Sequence, residues 1–581
     1  MIKNKLIFLA LMTFIFNLAT SEIIADKKEK TFLISERILL NTDRRVYIAG
    51  ENLMYSLYLI DSKANSLAAY SSVGYVLIKN TKGAIIGTSQ VKIIDGKATG
   101  AIYLSDTLQS GYYQILAYTN FMRNGPPELI SKSQVLIANR FDKDFFGIVS
   151  QRSLYSSEPV DSSFENRSNR INILLSQKSF NKREKCSFKL SIPDNHIKYT
   201  DVSVSVVEKN LIEEQFLRKE GKPVWIRKAI TGILSDDYPV YLAEDRYSEI
   251  SGRLMDVNNN EIGYHVLYLT SPDTVTNLEY TVTNAKGQFR FPISDYYNGK
   301  DIFIKIKQNE GESIIPKIII DSKFDFKEPF DPALWPIDSS IITYLKRSQD
   351  IVRIQKSYLQ IQSQFQPKYF SKPPQLLFKI PDYSVAPADY LELKDFQEIS
   401  REIIPALKLR KHDKEYSAEI LDLKNSRYLP PNPMIFLDGV LLDDIKQVMP
   451  FGTKEIKKIN LITSGWMVDH QELAGVLSIF SHNNLWKTIS MNSDNVRLKA
   501  ESYFELPKIS NPNYSIIDLQ SPEPDFRQLL YYKPHLQINS NNSSIVEFYT
   551  SDYSTTYIIK VVGITDKGER VEVYDEFEVK D

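Results

Sequence analysis

The stretch Pro433-Met434-Ile435-Phe436-Leu437-Asp438-Gly439-Val440-Leu441-Leu442-Asp443-Asp444 sets two apolar runs on either side of Asp438-Gly439. Asp-Gly turns a chain tightly back because Gly accepts positive φ at no steric cost and Asp tolerates it. Phe451–Gly465 (FGTKEIKKINLITSG) follows as a basic, helix-prone segment leading into another apolar run. Gly475–Ser481 (GVLSIFS) closes the stretch with a Gly-led strand-like run. Upstream, Leu393, Phe396, Ile399 and Ile403 share one helical face, and Pro405 limits that helix. The stretch therefore predicts a small α+β unit over residues 390–485, organised on a hairpin.

The rest of the chain reads as mainly β and multidomain. Its 581 residues suffice for roughly four domains of about 100–200 residues. Hydrophobic and charged fractions of 43% and 25% suit folded protein. The aromatic share of 12% leans towards strands. A formal net charge of −1, with no like-charged block, argues against nucleic acid as a partner. At the N-terminus, Lys3 and Lys5 precede the apolar run Leu6–Phe16, and Ala19-Thr20-Ser21 supplies small residues for cleavage. That is the order of a secretory signal, expected over residues 1–21, and its core is too short for a bilayer span. No integral span is expected once it is removed. Cys186 is the single cysteine, so no intramolecular disulfide can form and stability must come from cores.

Residues 26–140 read as a β-sandwich. Arg45–Ile48, Met54–Ile60, Gly74–Lys79, Gly100–Leu104 and Tyr112–Thr119 are strand-like, with turns at Asp95-Gly96 and Ser110-Gly111. Residues 165–245 read as a second sandwich, in which Val202, Val204 and Val206 alternate with Ser203 and Ser205. Residues 246–325 give strand, Asn-rich turn, strand, and repeat that plan around Lys286-Gly287. In the segment 326–389, Tyr344, Ile351, Ile354, Tyr358, Ile361 and Phe365 mark a helix between Pro-rich ends. Residues 500–581 return to strands and are expected to form a separate C-terminal sandwich.

Four resemblances sharpen this division. TDRRVYIAGE and DGKATGAIYLSDTLQSGYYQILAYTNFMRN resemble the second macroglobulin-like domain of alpha-2-macroglobulin-type proteins, with Tyr47, Gly50, Glu51, Gly111, Tyr113, Ala117 and Tyr118 carrying the pattern. Gly252 to Asp256, together with Thr283, Gly287 and Phe289, resemble the carboxypeptidase regulatory-like fold, a transthyretin-like sandwich without peptidase activity of its own. Pro433–Ser481 resembles the plug domain of TonB-dependent outer-membrane receptors. The C-terminal segment resembles a terminal macroglobulin-like or immunoglobulin-like module. Together they resemble exported Bacteroidetes envelope proteins that carry a plug-like domain without a barrel. A receptor barrel of about 22 strands, each of about 9–11 residues, needs several hundred residues, more than the segment after Ser481 supplies.

Chemistry is sparsely marked. His196, His265, His412, His470, His482 and His535 are scattered and form no H-E-x-x-H motif. His470 and His482 could meet near Asp469, and Asp443-Asp444 could face a cation, although neighbours on a strand point to opposite faces. No nucleophile elbow, phosphate loop or dinucleotide fingerprint is present. Cys186 lacks a thioester context, which excludes a covalent protease trap. No catalytic, cofactor or metal residue is therefore named, and binding residues stay open. The expected function is a non-enzymatic exported binding or scaffold protein of the periplasm or outer membrane. Its expected partners are envelope proteins, an outer-membrane barrel protein among them. The alternatives are an accessory role in TonB-dependent uptake, a thioester-less protease-binding protein with a bait segment in Leu211–Lys228, and an enzyme whose site would draw on Asp438, Asp443 or His470.

Overall fold

The computed structural model describes residues 31–142 except 69 and 140, 170–209 except 195, 230–233, 241–307, 316–332, 380–412, 415–468, 471–490, 495–501 and 524–581, with scattered positions between 343 and 378 and between 503 and 516. The expected signal segment, the candidate bait segment, His470 and most of the expected helix around Tyr344–Phe365 lie outside these residues.

The first module is a two-sheet sandwich. One sheet runs Val46–Ile48, Ser131–Ala138, Gly111–Tyr118, Val73–Asn80, Ile85–Lys92. The other centres on Asn52–Asp61, flanked by Glu36–Thr42 and Lys97–Tyr103. Tyr47, Tyr55, Tyr75 and Tyr118 fill the space between them with Leu57, Leu59, Leu77 and Ile115. Gly100 makes room for this core, since a Cβ there would lie 2.3 Å from the Tyr55 hydroxyl.

The second module corrects the expected division. Residues 165–245 and 500–581 do not form two sandwiches: their strands interleave in one. Tyr199–Glu208 pairs with Thr556–Thr565 on one side and Leu529–Asn539 on the other, and Arg570–Lys580 and Ser179–Asn181 extend that sheet. Lys185–Ser191 joins Asn172–Leu175 to Ser544–Tyr549 in the facing sheet. The physical reason is edge satisfaction. Tyr199–Glu208 exposes two rows of backbone donors and acceptors, and strands from the far end of the chain close both. Val202, Val204 and Val206 enter the common core with Leu530, Ile559, Val561 and Phe577. Ser203 and Ser205 are also buried, so the strand is covered on both faces rather than half-buried. Their face packs on the first module, where Leu39, Tyr58 and Ile60 meet Ile564.

Everything between these two arms is an insertion. Ser248–Met255, Gln288–Ile293 and Lys317–Ile320 form one sheet of a third module. Glu279–Val282, Val266–Thr270 and Asp301–Ile306 form the other, which gains Val496–Lys499 as a fourth strand from beyond the expected 246–325 boundary. The last module holds the mixed sheet Tyr383–Val385, Ile456–Ile462, Val476–Ser481, Met434–Leu437, Val440–Leu441, so it begins before residue 390. The helix forms over Phe396–Ile403, which bears out three of the four predicted face residues and leaves Leu393 before its start: Asp395 caps it by accepting from the Glu398 N–H at 2.9 Å, and Phe396, Ile399 and Ile403 are buried. The helix-prone reading within Phe451–Gly465 is overturned: none of that segment is helical. Ile456, Ile459 and Leu461 alternate into the core, and Ile456–Ile462 is a strand antiparallel to Val476–Ser481. The architecture is thus mainly β with several sandwiches and one α+β module.

Candidate binding cleft

Asp438 and Gly439 form the two-residue turn joining Met434–Leu437 to Val440–Leu441. Both have positive φ, 49° and 86°, the pairing a tight hairpin with right-handed strand twist requires. The tip serves the tertiary fold as well. The Asp273 N–H donates to the Asp438 carbonyl at 2.9 Å, tying the hairpin to the third module. A Cβ at Gly439 would sit 2.7 Å from the Ser271 carbonyl oxygen. The buried Asp438 carboxylate accepts from the Ser481 N–H at 2.6 Å, the Ser481 hydroxyl at 2.7 Å and the Trp486 N–H at 3.3 Å. It thereby fixes the turn Leu485–Thr488 that follows the last sheet strand.

Beside this hairpin, apolar contacts close the seam between the two modules. Tyr268 and Leu278 of the third module meet Met434, Phe436 and Val476, and Phe303 meets Val440 and Trp486. The rim of the seam opens into a cleft of about 520 Å³. Lys300, Lys457, Lys458, Lys487 and Lys499 line it, together with Asp273, Asp301 and Asp438. Each aspartate is engaged. Lys300 bonds Asp273 at 2.6 Å and Tyr296 also donates to it, Arg497 bonds Asp301 at 3.1 Å, and Asp438 is held as above. Burial pushes the Asp273 carboxyl up, but the Lys300 and Tyr296 bonds outweigh it and hold the group below the usual carboxylate range.

Lys457, Lys458, Lys487 and Lys499 are exposed, and none forms an ion pair among the described residues. Adjacent strand residues ordinarily face opposite ways. Here the register shifts between Ile456 and Lys458, and this bulge leaves both Lys457 and Lys458 outward on the cleft. Lys487 comes from the turn that Asp438 anchors, and Lys499 from the strand Val496–Lys499 contributed late in the chain. Sequence reading did not single out these lysines, because three distant segments supply them and only the bulge pairs two of them.

The sequence candidates are distributed differently. Asp443 forms an ion pair with Lys305 and accepts from the Asn495 amide at 3.2 Å, while Asp444 caps a short turn by accepting from the Lys446 N–H at 2.9 Å. The two carboxylates do not converge. Among the described residues no group of three or more His, Cys, Asp or Glu could hold a metal ion. His196 and His482 are exposed, and the His265 ring bonds the Gly263 carbonyl at 2.8 Å. Cys186 is buried between the sheets of the second module, where burial pushes its thiol up. His535 occupies a junction the sequence did not mark. Its ring meets the Asp201 carboxylate at 3.1 Å and the Ala98 carbonyl at 2.9 Å, joining the second module to the first.

No protein-family model matches the chain, and no curated protein matches it. Among solved structures, the chain is similar to Salmonella alpha-2-macroglobulin reacted with methylamine, at 9% identity over 95% of this chain and 40% of that one, with a TM-score of 0.24. It is similar to Escherichia coli alpha-2-macroglobulin activated by porcine elastase at 8% identity over 94% of this chain and 44% of that one, TM-score 0.24. An Escherichia coli adhesin matches at 10% identity over 50% of this chain and 64% of that one, TM-score 0.15. The chain spans less than half the length of those macroglobulins, and similarity at these TM-scores carries no argument about fold or function.

Proposed function

We propose that this chain is a non-enzymatic exported scaffold of the cell envelope, built to hold a binding cleft in fixed geometry. The observation that carries the reading is the way its modules are tied. Lys97 and His535 converge on Asp201 between the first and second modules. Lys323 bridges the Tyr75 hydroxyl and the buried Glu244 at 2.6 and 2.9 Å, fastening residues 241–249 and 321–328 to the first module. The apolar seam around Phe436 ties the third module to the fourth. A string of sandwiches fastened at each junction suits presentation of a surface to a partner. The signal-like N-terminus and the plug-like wording of Pro433–Ser481 supply the envelope part of the reading.

Cross-linking followed by affinity capture from envelope fractions of the source cell tests it. Reproducible recovery of a specific envelope protein is the expected result; recovery of this chain alone overturns the reading. The protease-binding alternative has its own mark, first cleavage within Leu211–Lys228 accompanied by reduced protease activity. Limited proteolysis that cuts elsewhere first, with protease activity unchanged, rejects that alternative.

A further inference from the structure

We infer that the lysine-lined cleft between the third and fourth modules binds an acidic peptide segment of a partner protein; this rests on the scaffold reading and specifies its ligand. Four exposed ammonium groups that form no ion pair among the described residues, brought from three separate segments to one opening of about 520 Å³, are a concentrated positive surface on a chain of formal net charge −1. Such clefts focus the field and attract opposite charge. The volume suits a few residues of extended chain rather than one small anion.

The rest of the lining selects among anions. Asp273, Asp301 and Asp438 share the walls, with Ser481 and the exposed Asn484 beside them. A peptide brings carboxylates for the lysines and backbone N–H donors for the remaining acceptor positions of the aspartates and Asn484. Phosphate and sulfate groups bring mainly acceptors and lack the regularly spaced backbone N–H donors that an extended peptide offers those positions. Trp486 is not an open stacking platform: it is buried, with Phe303 edge-on at 5.7 Å and the Arg497 guanidinium 5.0 Å from its ring.

Fluorescence anisotropy with the full chain tests the inference, using a labelled Glu-rich peptide, a Lys-rich peptide of equal length, inorganic pyrophosphate and dextran sulfate as separate probes. The expected result is saturable binding of the Glu-rich peptide that weakens with salt, weaker binding of the other probes, and a loss of about tenfold or more in the double variant K457E/K458E and in K499E. K189E, which reverses an exposed lysine on the second module, should leave binding unchanged. Circular dichroism melts of all variants check that they fold, and K499E keeps the test independent of the bulge. No binding of the Glu-rich peptide, tighter binding of dextran sulfate or pyrophosphate, or an equal loss in K189E overturns the inference. Capture of an envelope partner that is indifferent to K457E/K458E would leave the scaffold reading standing and reject this one.

Discussion

Asp438 and Ser481 are bound twice, through the Ser481 N–H at 2.6 Å and its hydroxyl at 2.7 Å, although 43 positions separate them. The pair joins the hairpin tip to the end of the neighbouring parallel strand. A carboxylate with these donors and a left-handed backbone is costly to replace. Asp438→Ala should lose about 3 kcal/mol, combining lost charge-assisted bonds with the αL penalty. Asp438→Asn, which tolerates positive φ and keeps an acceptor, should lose about 1 kcal/mol. Urea unfolding followed by tryptophan fluorescence measures both; equal losses would show that the charge carries the whole effect and that tolerance of the left-handed backbone adds nothing.

Gly439 makes a second, steric prediction. Its φ is 86°, and the Ser271 carbonyl oxygen lies 2.7 Å from the position an alanine Cβ would take, so alanine has no room. Gly439→Ala should cost about 2 kcal/mol or more and loosen the contact between the third and fourth modules. Hydrogen exchange at Asp273, whose N–H bonds the Asp438 carbonyl, reads that loosening directly. Unchanged protection would refute the steric account.

Lys560 is fully buried against the first module, donating to the Thr42 carbonyl at 2.9 Å. Burial, followed by the nearby Arg45 charge, pulls its pKa down to about 7. The unfolded chain keeps that proton to near the ordinary lysine value, so between the two the unfolded state binds more protons. Stability should therefore rise with pH from about 7 towards 10, by at most about 1.4 kcal/mol per pH unit from this group. Lys560→Met should flatten that rise. Urea midpoints at neutral and mildly alkaline pH check it, and an unchanged slope in the variant assigns the effect elsewhere.

Asp201 joins two modules through Lys97 and His535. Burial raises its pKa, but those partners outweigh burial and leave it lowered. A depressed folded value means that its contribution is present above the unfolded carboxyl pKa and is lost as pH falls through the folded one. Asp201→Ala leaves the part-buried Lys97 ammonium and His535 ring without their shared carboxylate and should cost about 2 kcal/mol at neutral pH, with a smaller loss near pH 3. A loss that stays constant across that range would contradict the ion-pair account.

Cys186 provides a probe of the second module. Buried among Phe188, Leu190 and Phe548, it should react with iodoacetamide roughly a hundredfold more slowly in the native chain than in denaturant. Rapid native labelling would show that the two-ended sandwich opens locally.

Much of the local structure was legible in sequence because its causes are local. Asp438-Gly439 turns through its own φ preferences, Phe396, Ile399 and Ile403 share a face by helical period, and the valines of Tyr199–Glu208 alternate by strand period. The buried serines of that strand escaped the reading, since alternation alone does not reveal a second covering layer. The helix-prone wording around Lys454–Lys458 also misled: pairing with Val476–Ser481 outweighed local propensity there.

By itself, then, the sequence determined a mainly β chain of several modules, the hairpin at Asp438-Gly439 and the helix carrying Phe396, Ile399 and Ile403. Tertiary structure alone decided that Tyr199–Glu208 completes its sheet with strands more than three hundred positions away, because unpaired strand edges accept any partner of suitable register. It also decided that Lys457, Lys458, Lys487 and Lys499 share one cleft, since a bulge, an anchored turn and a late-joining strand converge there only once the modules pack.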